Sequence, residues 1–119
     1  MISKFGEYIR IIRRNENDSL RDMAKKMDIS AAFLSAMEVG RKNIPLSYVD
    51  KIDELYHLTE EEKNKLIEAI QETNDKISIE LSKMNEQQRQ VTLVFARKIQ
   101  TADEDLIEKL RKVLEDDKD

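Results

Sequence analysis

Three features of the sequence predict an all-α fold. Apolar residues recur at three- and four-residue spacing through most of the chain. Polar residues with capping chemistry stand just ahead of those stripes. The 119 residues include only two glycines and one proline, and 39% of the side chains are charged, a composition suited to a nearly all-helical protein.

The first helix is predicted over Lys4 to about Asn15, with Phe5, Tyr8, Ile9 and Ile12 as its inner stripe and Arg10, Arg13 and Arg14 on or near the polar side. A polar turn, Asn15 to Asp18, follows. In SLRDMAKKM, Ser19 and Asp22 read as an N-cap and a first-turn acid, and Leu20, Met23, Ala24 and Met27 share one face. Asp28-Ile29 breaks the pattern, Ser30 caps again, and Phe33, Leu34 and Met37 resume it. Two short helices joined by about three residues, with a small alanine where they cross, make a helix-turn-helix, and Ile29 is placed to fold between them.

This segment resembles the phage-repressor/Cro helix-turn-helix, the xenobiotic-response-element family of regulators. The motif's apolar and small positions fall on Met23, Ala24, Met27, Ile29, Leu34 and Met37. The flanking FGEYIRIIRR and MEVGRKNIP are also similar to the family's first helix and to its loop after the recognition helix, so the likeness spans roughly Lys4 to Leu58. Two positions depart from the pattern. Asp28 stands where glycine is usual and must enter the left-handed region at modest cost. Leu20 stands where a DNA-backbone-touching glutamine is common. The resemblance implies a five-helix, lambda-repressor-like DNA-binding domain, with Arg13 paired to Glu38 as structural glue.

Gly40 is placed as the C-cap of the recognition helix, and Arg41-Lys42-Asn43 forms a polar loop. Pro45 suits the first turn of a fourth helix running to Tyr56, with Leu46, Val49, Ile52, Leu55 and Tyr56 inward. His57, the only histidine, sits at its end without neighbours suited to catalysis or metal binding. Thr59 and Glu62 read as a capping box for a fifth helix to about Thr73, with Leu66, Ile67 and Ile70 as its stripe. Residues 1–73 thus form the expected DNA-binding domain.

Residues 74–119 are read as a helical region for dimerisation or partner binding. Ile77, Ile79 and Leu81 alternate with polar residues at strand period, which allows a helical turn or loop, or a short strand paired with a second chain. Asn85 and Gln88 suggest a helix across EQQRQVTLVFARKIQ, where Val91, Leu93, Val94 and Phe95 cover more than one face, so burial on two sides is expected. A strand over VTLVF is the weaker alternative. Thr101 and Glu104 suggest a third box before a last amphipathic helix carrying Leu106, Ile107, Leu110, Val113 and Leu114, and DDKD reads as an acidic tail. Ile77, Ile79, Leu81, Val91, Val94 and Phe95 are the candidate dimerisation residues.

Net charge is −4, but unevenly spread. Residues 1–49 hold nine Lys/Arg and six Asp/Glu, whereas residues 50–119 hold twelve and nineteen. The positive balance coincides with the helix-turn-helix, as an electrostatic footprint for nucleic acid requires. With no cysteine there is neither a disulfide framework nor a thiolate metal site, and a reducing cytoplasm fits. No membrane-length apolar run or signal-peptide core is seen, so a soluble cytoplasmic protein is expected. The absence of a phosphate loop, zinc spacing or activated nucleophile argues against an enzyme, and no cofactor or metal is called for.

The base-reading set expected on the recognition helix is Ser30, Ala31, Ala32, Ser35 and Ala36, near the end that enters a major groove in this motif. It holds no glutamine, asparagine or arginine for bidentate base contacts. Alanine methyls can pack on thymine methyls and serine hydroxyls can meet either kind of base edge. Ser19 and Arg21, with Arg41, Lys42 and Asn43, complete the candidate DNA contacts. The expected partner is double-stranded DNA bound by a homodimer that acts as a repressor, and the resemblance suggests a phage or mobile-element type. The alternative is an antitoxin-like interaction module whose C-terminal helices bind another protein, with DNA secondary or the apolar recognition helix itself serving as a protein-docking platform.

Overall fold

Seven α-helices succeed one another in the computed structural model, which describes residues 1–116: α1 Lys4–Asn15, α2 Leu20–Met27, α3 Ala31–Glu38, α4 Ser47–Tyr56, α5 Glu60–Thr73, α6 Glu86–Ile99 and α7 Glu104–Asp116. The tail expected over residues 116–119 lies outside the described residues, apart from the backbone of Asp116. There is no strand among the described residues. Residues 77–81 form a loop in the single chain, and VTLVF is helical within α6. Two compact units are present, Met1–Ile79 and the chain from Glu80 onward.

In the first unit every helix except α4 starts where a side chain can absorb an orphan amide. The Ser3 hydroxyl accepts from the Gly6 N–H at 3.0 Å, and Ser30 does the same for Phe33. Ser19 with Asp22, and Thr59 with Glu62, form reciprocal capping boxes. Helix α2 ends at Asp28 in the left-handed region, φ 58 and ψ 45. Helix α3 ends in a Schellman motif: the Gly40 N–H donates to the Met37 carbonyl at 3.1 Å and the Arg41 N–H to the Ala36 carbonyl at 2.9 Å, with Gly40 at φ +83. Helix α4 begins at Ser47, slightly later than Pro45 suggested, because Pro45 and Leu46 carbonyls first close a tight turn onto the Tyr48 and Val49 N–H groups.

Helix α1 packs on α5 and α3, α2 on α3 and α4, and α4 on α5. Their shared core holds Phe5, Ile9, Met23, Met27, Leu34, Met37, Ile44, Ile52 and Leu66, with Ala24 buried and Ile29 packed partly against it. Two sequence expectations need correction. Leu46 and Ile67 are 41% and 43% exposed rather than inward. Leu46 precedes α4 instead of lying on its inner face, and the inward position of α5 next to Leu66 and Ile70 is taken by the smaller Ala69.

Close approach of α1 to the end of α3 depends on Gly6. A Cβ there would collide with the Glu38 carbonyl and stand 2.7 Å from Ile2 Cγ1. Ser3 tightens the same junction, its backbone N–H and its hydroxyl each donating to the Glu38 carbonyl at 2.9 Å. Gly6→Ala is expected to lower the unfolding free energy by about 2 kcal/mol through overpacking. A denaturant midpoint equal to that of the parent chain would remove this steric account. Across the core, the Asp18 carboxylate accepts from Lys26 and from the Tyr56 hydroxyl, both at 2.7 Å. Those two donors hold its pKa below the ordinary carboxylate value. The stability this gives is therefore present above the ordinary value and lost as pH falls through the folded-state one.

The second unit is built on α6 and α7. Asn85 and Gln88 form the capping box of α6. The cap of α7 is Asp103 rather than Thr101: its carboxylate accepts from the Leu106 N–H at 2.9 Å, while Thr101 is still engaged in the turn that closes α6. Phe95, Leu106, Ile107 and Leu110 are half-buried. Two-sided burial is expected for α6, and the single chain does not supply it: α6 has no buried residue, and Val91 and Leu93 are 68% and 59% exposed.

Candidate nucleic-acid interface

The outer side of the helix-turn-helix is built by the same local rules that fold it. With Leu34, Met37 and Glu38 of α3 turned inward, the periodicity leaves Ala32 and Ser35 outside, and Ser30 is exposed at the cap. Ala31 is a correction to the expected exposed set. It is half-buried and packs against the core, since its position in the first turn adjoins Leu34. Ala36 is also half-buried. The solvent-facing tip of α3 is therefore Ser30, Ala32 and Ser35. The Ser30 acceptor serves the cap, but its hydroxyl proton remains available to a partner.

Exposed cations stand at the start of α2 and beyond the far end of α3. Arg21, in the first turn of α2, is exposed, as are Arg41 and Lys42 just beyond the Schellman turn. None of the three has an ion-pair partner among the described residues, in contrast to Lys26, Lys63, Arg10 and Arg13. Ser19 is exposed with its acceptor spent on Asp22. Asn43 is exposed and its carbonyl accepts from the Asp75 N–H at 3.4 Å. A small, uncharged helix tip can lie in a groove while unpaired cations elsewhere on the motif meet phosphates.

Behind the tip lies a buried charge cluster. Glu38 is 3% exposed and receives Arg13, itself 11% exposed, and the Arg10 Nε at 3.2 Å. The Arg13 guanidinium also lies 3.9 Å from the Met23 sulfur. Sequence reasoning paired Arg13 with Glu38 but missed Arg10, which looked like part of the solvated face. Its place one turn before Arg13, at i and i+3 on α1, was the available signal.

Of the candidate dimerisation residues, Ile77 and Ile79 are exposed at the end of the first unit, and Leu81 is half-buried at the start of the second. Val91 and Val94 are exposed, and Phe95 lines an apolar groove with them, Leu106 and Leu110.

Residues 4–66 match the family described as a helix-turn-helix domain. The chain belongs to that family, in its Cro-like, xenobiotic-response-element type. It is accordingly a DNA-binding regulator, from a family that is typically non-enzymatic. No curated protein and no solved structure matches the chain. No described helix is long and apolar enough to cross a membrane.

Proposed function

We propose that this chain is a sequence-specific repressor that binds its operator as a dimer, with residues 1–73 on DNA and residues 74–119 joining the two copies. The observation that carries the reading is the exposed tip of α3, Ser30, Ala32 and Ser35, on a motif that also exposes the unpaired cations Arg21, Arg41 and Lys42. Readout rests on thymine methyls against Ala32 and on the two serine hydroxyls, with phosphate contacts from the cations. The phage or mobile-element type is supported by the family resemblance alone.

Dimerisation is supported by the apolar surface left on α6 and α7. Val91, Leu93, Val94, Val113 and Leu114 are all exposed in the single chain, which is more than one layer of a solvated helix pair carries. A second copy of α6 and α7 supplies the missing layer and turns two helices into four. It also supplies the two-fold axis that a paired operator needs. Selection of bound sequences from random duplex DNA is expected to return inverted half-sites about one helical turn apart, and enrichment of single half-sites or of no sequence would overturn the reading. The groove between α6 and α7 also favours a second reading, a protein partner of antitoxin type. In that case the full chain sediments as a monomer at micromolar concentration, where the first reading requires a dimer.

A further inference from the structure

The loop from Arg41 to Asn43 is held at both ends, and only one of its holds belongs to the helix-turn-helix. At its start, the Arg41 and Lys42 N–H groups both point to the Ala36 carbonyl, at 2.9 and 3.4 Å. At its end stands Ile44, 2% exposed, whose backbone would be buried without partners were it not for Asn74. The Asn74 carboxamide meets both groups: its oxygen accepts from the Ile44 N–H at 2.8 Å, and its NH2 donates to the Ile44 carbonyl at 2.9 Å. This pair copies the two-bond pairing of a β-ladder with one side chain in place of a strand. The next residue adds a third tie, from the Asp75 N–H to Asn43.

Asn74 can do this because it leaves the helix. It is the C-cap of α5, in extended conformation at φ −77 and ψ 140, with its own N–H returned to the Ile70 carbonyl. It also lies beyond Leu66, where the family match ends. We infer that Asn74 is a positioning residue for DNA binding: by fixing Ile44 it sets where Arg41 and Lys42 stand relative to the phosphates. The inference rests on the proposed role of those two cations at the DNA. Without Asn74 the second end of this three-residue span would be held by the buried Ile44 side chain alone, with its backbone left to shift and both long side chains free to sweep more of the solvent. Pinning the second end fixes where their Cα atoms start, and so lowers the entropy lost on binding.

A merely structural Asn74 would lower stability and leave the salt dependence of binding alone. The test is therefore a cycle of the full chain, Asn74→Ala, the pair Arg41→Ala/Lys42→Ala, and all three together, titrated on a selected operator at several salt concentrations. Asn74→Gln, whose amide is one methylene too long to meet both Ile44 groups, replaces the alanine variant if that fails to fold. Asn74→Ala is expected to weaken binding about tenfold and to lower the salt slope by up to about two, the share of two phosphate contacts. The double cation variant should then cost less than about threefold more on the Asn74→Ala background. An unchanged salt slope, or a cation effect of the same size on both backgrounds, overturns the inference. If the cation variant alone changes neither affinity nor slope, the inference falls with the DNA contact it rests on, and the failure is traced to that contact rather than to Asn74.

Discussion

Ala32→Glu is expected to reduce operator affinity by at least a hundredfold while leaving the fold as stable as before, or slightly more so. The two effects have opposite signs for a physical reason. Ala32 is exposed in the first turn of α3, a turn with no acidic residue. A carboxylate near the unsatisfied N–H groups there is favourable by roughly 0.3–1 kcal/mol. Against DNA the same carboxylate faces phosphates and thymine methyls, and like charges set together cost several kcal/mol. Circular dichroism and thermal melting report the first effect, and operator titration reports the second. Binding within threefold of the parent chain would take the tip of α3 off the DNA. Uracil in place of a contacted thymine should cost on the order of 1 kcal/mol, part of a good base contact.

Glu38→Ala is expected to be the most damaging single truncation in the first unit, at about 3–5 kcal/mol. Removing the carboxylate leaves the Arg13 guanidinium, 11% exposed, without its ion-pair partner. Arg10 is 48% exposed and loses little, because water already screens it. The pair itself need not be worth that much. Arg13→Met combined with Glu38→Leu is expected to recover most of the loss, since apolar residues of similar volume avoid the desolvation of both charges. Urea unfolding measures both variants. A Glu38→Ala midpoint within about 1 kcal/mol of the parent would show that the buried charge finds another partner.

Helix positions in this chain are legible from sequence wherever a cap is local. Ser19 with Asp22, Thr59 with Glu62 and Asn85 with Gln88 each spend their side chains within one turn, and a three-residue pattern is enough to read them. Thr101 misled because Asp103, two residues later, caps the Leu106 N–H and starts the helix there, and a carboxylate at the helix start gains more than a hydroxyl. Leu46 and Ile67 misled because spacing marks a face but not how far a neighbouring helix covers it. The exposed face expected for α3 needs correction at Ala31 and Ala36, which are small enough to suit either side.

Contacts between distant residues left no such trace. Asn74 reaches Ile44 across thirty positions, and nothing around NDK distinguishes a clamp from any helix end. Gly6 sits in a stretch that reads as ordinary amphipathic helix, and its purpose appears only when the end of α3 lies against it. The apolar excess of α6 was visible in the sequence; that the single chain leaves it uncovered was not.

The anchoring of α3 has a mechanical consequence. The Arg13 and Arg10 pairs, the Ser3 bonds and the Schellman turn all grip its C-terminal end, and its opposite end carries the side chains proposed to meet the bases. The helix is a cantilever, fixed at the root and loaded at the tip. Its eight residues make an arm of about 12 Å. A tilt of about 5° at the root therefore swings the tip by roughly 1 Å, enough to spoil a hydrogen bond to a base edge. On the proposed reading, Gly6 and Arg10 aim the tip without touching DNA, and substitutions there are expected to alter which operator is preferred without altering any side chain that reads it.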